Sequence, residues 1–211
     1  MITENSVSES GIMTREMWDQ RYSAADYVYG TEPEPFFKQE IGRLKPGKLL
    51  LPAEGEGRNA VYAAGQGWEV LAFDQSDEGR KKAFRLAREK GVTINYHLGD
   101  LETFLSPPQT FDAIALSYVH TSGYKRKLIH RRLEGFLKPG GIMILQGFST
   151  DQKNYTSGGP GDPDLLFTVE SIGDDFKEMQ ILTLEKVVTV MESGEGHKGP
   201  GSVIRMVAVK S

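Results

Sequence analysis

The chain has 211 residues, 38% of them hydrophobic and 26% charged, which suits one sizeable domain whose core needs no staples. It contains no cysteine, and this excludes thiol catalysis, disulfide scaffolds, iron–sulfur clusters and thiolate zinc sites. A formal net charge of −4 gives no electrostatic reason to expect nucleic acid as a partner.

The histidines at His97, His120, His130 and His197 are scattered and form no helical i, i+4 pair, so no metal site is expected. No apolar run has the length of a signal peptide core or a membrane span, so a cytoplasmic protein without a membrane partner is expected. Residues 1–12 are polar and read as a disordered leader, and 13–211 read as a single domain.

In chain order, an amphipathic helix is predicted from Thr14, its N-cap, to Ser23, and a second from Pro35 to Leu44. After the Lys45-Pro46-Gly47 turn, strand-like and helix-like segments alternate, the pattern of an α/β sheet. Lys48 to Pro52 is a short apolar strand of the kind covered on both faces. The turn from Glu54 to Ala60 follows it, with a helix ending near Gly65. Trp68 to Phe73 is the second strand. Ser76 caps the next helix, whose inner face is expected to carry Phe84 and Ala87. Val92 to His97 and Phe111 to Ser117 are the third and fourth strands. The following helix places Ile129, Leu133, Phe136 and Leu137 on one stripe. Its basic residues Lys125, Arg126, Lys127, Arg131 and Arg132 read as a solvated face. Ile142 to Gly147 is the fifth strand, followed by a Gly/Pro-rich loop to Asp164 and a short helix from Val169 to Phe176. Ile181 to Met191 and Ser202 to Val209 alternate in hydrophobicity and form an antiparallel pair joined by Glu192 to Gly201.

Gly55-x-Gly57-x-x-Ala60, between an apolar strand and a helix, is the most informative local pattern. Such glycines permit a sharp turn and a close backbone approach to a ligand, although a plain packing turn uses the same residues. Asp74 ends the second strand 74 − 57 = 17 residues beyond Gly57, near the spacing at which a carboxylate meets a ribose diol. The turn and Asp74 alone also fit an NAD(P)-dependent oxidoreductase. Asp100 and the Leu101 backbone, after the third strand, suit an adenine edge. The Leu137-Lys-Pro-Gly-Gly141 turn and the terminal hairpin favour another class.

Together these features resemble class I S-adenosylmethionine-dependent methyltransferases. Trp18-Asp-x-Arg-Tyr22, Tyr29-Gly30, Gly-Glu-Gly-Arg-Asn-Ala at 55–60, Gly147-Phe-Ser149, Ser157-Gly-Gly-Pro160 and Glu195-Gly-x-His-x-Gly199 look like the tellurite-resistance and thiopurine-type branch. The resemblance implies a doubly wound, mostly parallel seven-stranded sheet of order 3-2-1-4-5-7-6, its last strand antiparallel, with N-terminal helices in 13–45 closing the site. It implies S-adenosylmethionine as cofactor, S-adenosylhomocysteine as product, and a small-molecule acceptor that is a soft nucleophile: a chalcogen oxyanion, thiol or heteroaromatic.

In an open α/β sheet the ligand rim lies beyond the carboxyl ends of the strands. Ala53, Glu54, Gly55, Gly57, Asn59, Asp74, Gln75, Ser76, Asp100, Leu101 and Ser117 are therefore expected around the cofactor. By resemblance, Trp18, Tyr22 and Tyr29 close its methionine end. The family usually has an acid at the end of the first strand; here Leu51-Pro52-Ala53-Glu54 moves it into the turn, where Glu54 takes over the ammonium group. Tyr118 is the candidate aromatic face for the sulfonium. His120 and His197 are candidate bases, needed only for an acceptor that arrives protonated. Tyr155 and Ser157 to Pro160 are a candidate lid. The altered first-strand turn also leaves open a module that binds the cofactor without catalysis.

Overall fold

The computed structural model describes residues 14–194 and 197–211, so the expected leader and Glu195-Gly196 of the closing motif lie outside the described residues. Helices α1 (Arg15–Tyr22) and α2 (Pro35–Ile41) precede β1 (Lys48–Pro52), α3 (Arg58–Gly65), β2 (Glu69–Asp74), α4 (Asp77–Glu89), β3 (Asn95–Leu98) and β4 (Phe111–Ser117). Then come α5 (Gly123–Phe136), β5 (Leu137–Phe148), α6 (Val169–Asp175), β6 (Gln180–Ser193) and β7 (His197–Val209). The strands form a seven-stranded sheet of order β3-β2-β1-β4-β5-β7-β6. β1 through β5 are mutually parallel, and β7 runs antiparallel to both β5 and β6. An antiparallel strand thus sits where a dinucleotide-binding sheet continues with parallel strands.

β1 shows why its sequence is apolar throughout. Leu49 and Leu51 join a core with α2, α3 and α4, while Leu50 joins the opposite core with β4, α5 and α6. Both faces of the strand are therefore covered by helices. Local capping fixes the helix starts: Thr14 Oγ1 accepts from Met17 N, and Ser76 Oγ accepts from Gly79 N. The carboxylate of Glu34 caps α2 through Phe36 N and Phe37 N.

Several expectations need correction. Phe84 lies at the margin of α4, 38% exposed and edge-on to Tyr96, whereas Ala83, Leu86 and Ala87 form the inner stripe. The third strand begins at Asn95, because the chain leaving α4 first closes a turn in which Val92 N donates to Ala87 O. Leu137 belongs to β5, paired with Phe111, and a register shift separates that pair from Ala113↔Ile142. The terminal strands are longer than their hydrophobic alternation suggests, pairing from Gln180↔Val209 to Ser193↔His197. His197 therefore opens a strand. The basic face of α5 is only partly solvated. Arg126 is buried against Asp175 at 2.7 Å, and Asp175 also meets His130 Nδ1 at 2.9 Å. This cluster pins α5 to α6.

Candidate active site

A cavity of about 500 Å³ opens at the carboxyl edge of the sheet, above β1, β2 and β4. Its floor is the turn after β1. Ala53, Gly55 and Gly57 adopt φ values of 50°, 61° and 86°, so the backbone coils left-handed out of the strand. A side chain at Gly55 would meet Tyr22 Oη at 2.7 Å, which explains why glycine is required there.

Asp74 joins this turn to α4. Its Oδ2 accepts from Gly55 N at 3.0 Å and its Oδ1 from Ser76 N at 2.8 Å. Each oxygen keeps a free lone pair, so the carboxylate can still receive two hydroxyl donors. Burial pushes its pKa up to about 6, against the pull of those backbone N–H groups. Glu54 is raised further, and burial again is the main cause, pushing it to about 7. Its Oε1 accepts from Ala60 N at 2.7 Å, so the carboxylate caps α3, whose N-cap Gly57 has no side chain to do so. Asn59 accepts from Glu34 N and donates to Ser117 Oγ at 3.2 Å, tying the N-terminal segment to β4.

The N-terminal helices form the roof. Trp18 stacks on Tyr22 with centroids 5.3 Å apart, and Tyr22 meets Tyr29 edge-on. Asp19 Oδ1 accepts from Ser76 Oγ at 2.6 Å and from Glu78 N, docking α1 on the start of α4. Glu56, almost fully buried, accepts from Val28 N and Lys82 Nζ and holds the stretch between α1 and α2. The far wall is aromatic. His197 lies 4.6 Å from Tyr29 and 4.4 Å from Tyr118 between ring centroids, with Phe148 edge-on at 5.2 Å.

Of the residues expected around the cavity, Trp18, Tyr22, Tyr29, Ala53, Glu54, Gly55, Asn59, Asp74, Gln75, Asp100, Leu101, Ser117, Tyr118, His120 and His197 all line it. Gly57 and Ser76 do not. A Cβ on Gly57 would run into Ala83 of α4, so this glycine serves helix packing. Ser76 is fully buried as the N-cap of α4. Tyr155 stays outside, whereas Gly158 to Gly161 of the same loop enter the wall.

The two histidines differ. His120 Nδ1 donates to Leu165 O at 2.7 Å, and its Nε2 accepts from Phe148 N at 3.1 Å. Both ring nitrogens are consumed by backbone, and burial lowers its pKa to about 4. His120 is therefore a strut between β5 and the Leu165 turn and is unsuited to be a base. Among the described residues, His197 has a buried Nδ1 without a partner. Burial, then the nearby Arg58 and Arg21 guanidinium groups, lower it to about 3, so its imidazole is neutral at physiological pH. Tyr118 has φ 58° and its hydroxyl accepts from Gln146 Nε2 at 2.8 Å, which turns the ring into the wall. Burial raises its pKa above the usual phenol range.

Arg58, Arg21 and Phe148 line the cavity without having been singled out. Arg58 donates to Tyr29 O at 3.0 Å, and the guanidinium of Arg21 lies 5.5 Å from the Tyr29 ring centroid. Arg58 stood within the glycine motif without a role assigned to it; its burial comes from the segment after α1, where it meets the Tyr29 carbonyl.

Residues 52–141, which carry the glycine turn and β2 to β4, match the methyltransferase domain family. The strand order is that of the class I S-adenosylmethionine-dependent methyltransferase fold, and the glycine turn falls within the matched stretch. The chain is 29% identical to a probable thiol methyltransferase 2 of Arabidopsis thaliana over 68% of its length and 65% of that protein's. It is also 29% identical to a ubiquinone biosynthesis O-methyltransferase of Rickettsia felis, over 49% of this chain and 42% of that one. The matched stretches thus span less than two thirds of either relative. A solved structure concerned with converting a disulfide bond into a thioacetal group in echinomycin biosynthesis superposes with a TM-score of 0.75 at 16% identity, covering 93% of this chain and 92% of that one.

The cavity suits the cofactor of that class. The left-handed turn at Ala53 to Gly57 leaves room over the backbone, Asp74 keeps acceptor capacity for a ribose diol, and two carboxyls held partly protonated by burial would gain from a cationic ligand.

Proposed function

We propose that the protein transfers a methyl group from S-adenosylmethionine to a small soft nucleophile: a thiol, chalcogen oxyanion or heteroaromatic. The observation that carries this reading is the joining of Asp74 to the glycine turn through Gly55 N, within one cavity that also holds the His197, Tyr118, Tyr29 and Phe148 rings. In this reading Asp74 holds the ribose, Asp100 and the Leu101 backbone hold adenine, and Glu54 faces the ammonium group from its position capping α3. Trp18, Tyr22 and Tyr29 cover the methionine end. When bound, the sulfonium supplies a methyl group already activated for transfer.

The protein's own contribution is alignment and exclusion of water, and such positioning is worth about 7–11 kcal/mol of barrier. The acceptor end is aromatic, and its faces favour a cation by about 0.5–2 kcal/mol. His120 has no free nitrogen and His197 is a weak base, so the acceptor is one that enters ionised or with low proton affinity. His197 Nδ1 orients it through a hydrogen bond. The thiol and O-methylating relatives, and the sulfur chemistry of the superposed protein, agree with small acceptors without choosing among them.

Calorimetric titration with S-adenosylmethionine and S-adenosylhomocysteine, with NAD and NADP in parallel, tests the reading. Both adenosyl ligands bind the native protein, and Asp74→Ala weakens them about 10- to 100-fold, the worth of charge-assisted hydrogen bonds. An acceptor screen beginning with thiols follows. Binding of a dinucleotide, or of nothing, overturns the proposal.

A further inference from the structure

Among the described residues β6 is an edge strand, hydrogen-bonded within the sheet to β7 alone. Its outer half is unusual for an exposed edge. Val187-Val-Thr-Val-Met191 is β-branched at its first four positions and free of proline, and Val188 and Val190 are 63% and 66% exposed. A long edge of this composition pairs with another strand unless something blocks it. Proteins ordinarily block such an edge with charge at its centre, whereas here the charges flank the apolar run.

Those flanking charges obey a symmetry. Lys186 and Glu192 stand three residues before and after Thr189, on the same face as Val188 and Val190 and with opposite signs. We propose that β6 pairs antiparallel with β6 of a second copy of this chain about a two-fold axis at Thr189, joining the two sheets edge to edge. In that register Lys186 lies opposite Glu192 of the second copy, Val188 opposite Val190, and Thr189 opposite Thr189. Each charged pair and each valine pair occurs twice, as an isologous interface requires. Facing positions have equal parity, so the exposed faces of the two strands coincide. Centring the axis one residue earlier would set Lys186 against Val190 and Glu192 against Leu184, losing the charge complement. The charge pattern therefore selects the register. Lys186 Nζ also reaches Asp151 of its own chain at 2.5 Å, and from that exposed position it can bridge both carboxylates.

Sedimentation velocity across the micromolar range tests this. The native protein associates to a dimer. Lys186→Glu and Glu192→Lys each replace two opposite-charge pairs with two like-charge pairs and raise the dimer dissociation constant at least about tenfold. The double variant Lys186→Glu/Glu192→Lys restores the complement and recovers association, even though it leaves a carboxylate at position 186 beside Asp151. Circular dichroism confirms that each variant is folded, and either single change probes the same pair should the other misfold. A native protein that sediments as a monomer throughout overturns the proposal. So do a dimer indifferent to both reversals and a double variant that fails to recover.

Discussion

Glu54 carries two duties that pull its protonation in opposite directions. As the cap of α3 it accepts from Ala60 N, yet burial holds its carboxyl near 7, well above a free glutamate. The folded protein therefore binds more protons than the unfolded chain between the ordinary glutamate pKa and about 7. Its contribution to stability is greatest at low pH and declines as pH rises through that window. A cationic ligand beside Glu54 favours the ionised form, so affinity for S-adenosylmethionine rises as pH increases through about 7, with release of a proton. Calorimetry in buffers of differing ionisation enthalpy measures that release, and Glu54→Gln flattens both the affinity profile and the proton signal. Asp74, held near 6, titrates lower and adds a separate, earlier step.

At the scale of elements, the glycine turn divides its work. Gly55 gives close approach beneath Tyr22, while Gly57 gives α3 and α4 their contact. Gly57→Ala forces a Cβ into Ala83 and places an L-residue at φ 86°, costing about 1–3 kcal/mol for the strained backbone alone. Urea denaturation reads this cost, and adding Ala83→Gly recovers only the steric part. The pattern Gly-x-Gly was plain in the sequence, but the division of labour was not. It depends on which side chain α4 presents to the turn, and the sequence spaces that contact as far away as Ala83. The same limit hid the true inner face of α4. Phe84 is more apolar than Ala83, yet the helix packs so close to α3 that only a small residue fits.

Over the whole molecule, the roof is fastened by the apolar seam of Phe36, Phe37 and Ile41 of α2 and, around α1, by buried polar links. Glu56 and Lys82 are the central pair, at 2.7 Å with both side chains buried, and Lys82 Nζ also donates to Asp26 O. Glu56→Ala leaves an uncompensated buried ammonium and costs about 3–5 kcal/mol. Because Glu56 also anchors Val28 N, the segment between α1 and α2 loosens. Limited proteolysis then cuts before β1 faster than in the native protein, and the thermal midpoint falls. The links from Asp19 to Ser76 and from Gln146 Nε2 to Glu34 Oε1 fasten the same roof at its two ends.

The sequence alone determined the α/β class, the bounds of β1 and β4, the caps at Thr14 and Ser76, and the cluster of residues at the sheet's carboxyl edge. All of these follow from local periodicity, from side chains that satisfy nearby backbone groups, or from the rule that parallel strands end on one edge. Tertiary structure decided what each of those residues is free to do. His120 and His197 read alike in sequence, as polar residues near the rim. The fold commits both nitrogens of His120 to the backbone of Leu165 and Phe148 and leaves His197 Nδ1 open within an aromatic wall. A side chain's hydrogen-bond partners come from segments distant in the chain, here 45 and 28 residues away, and no local pattern records them.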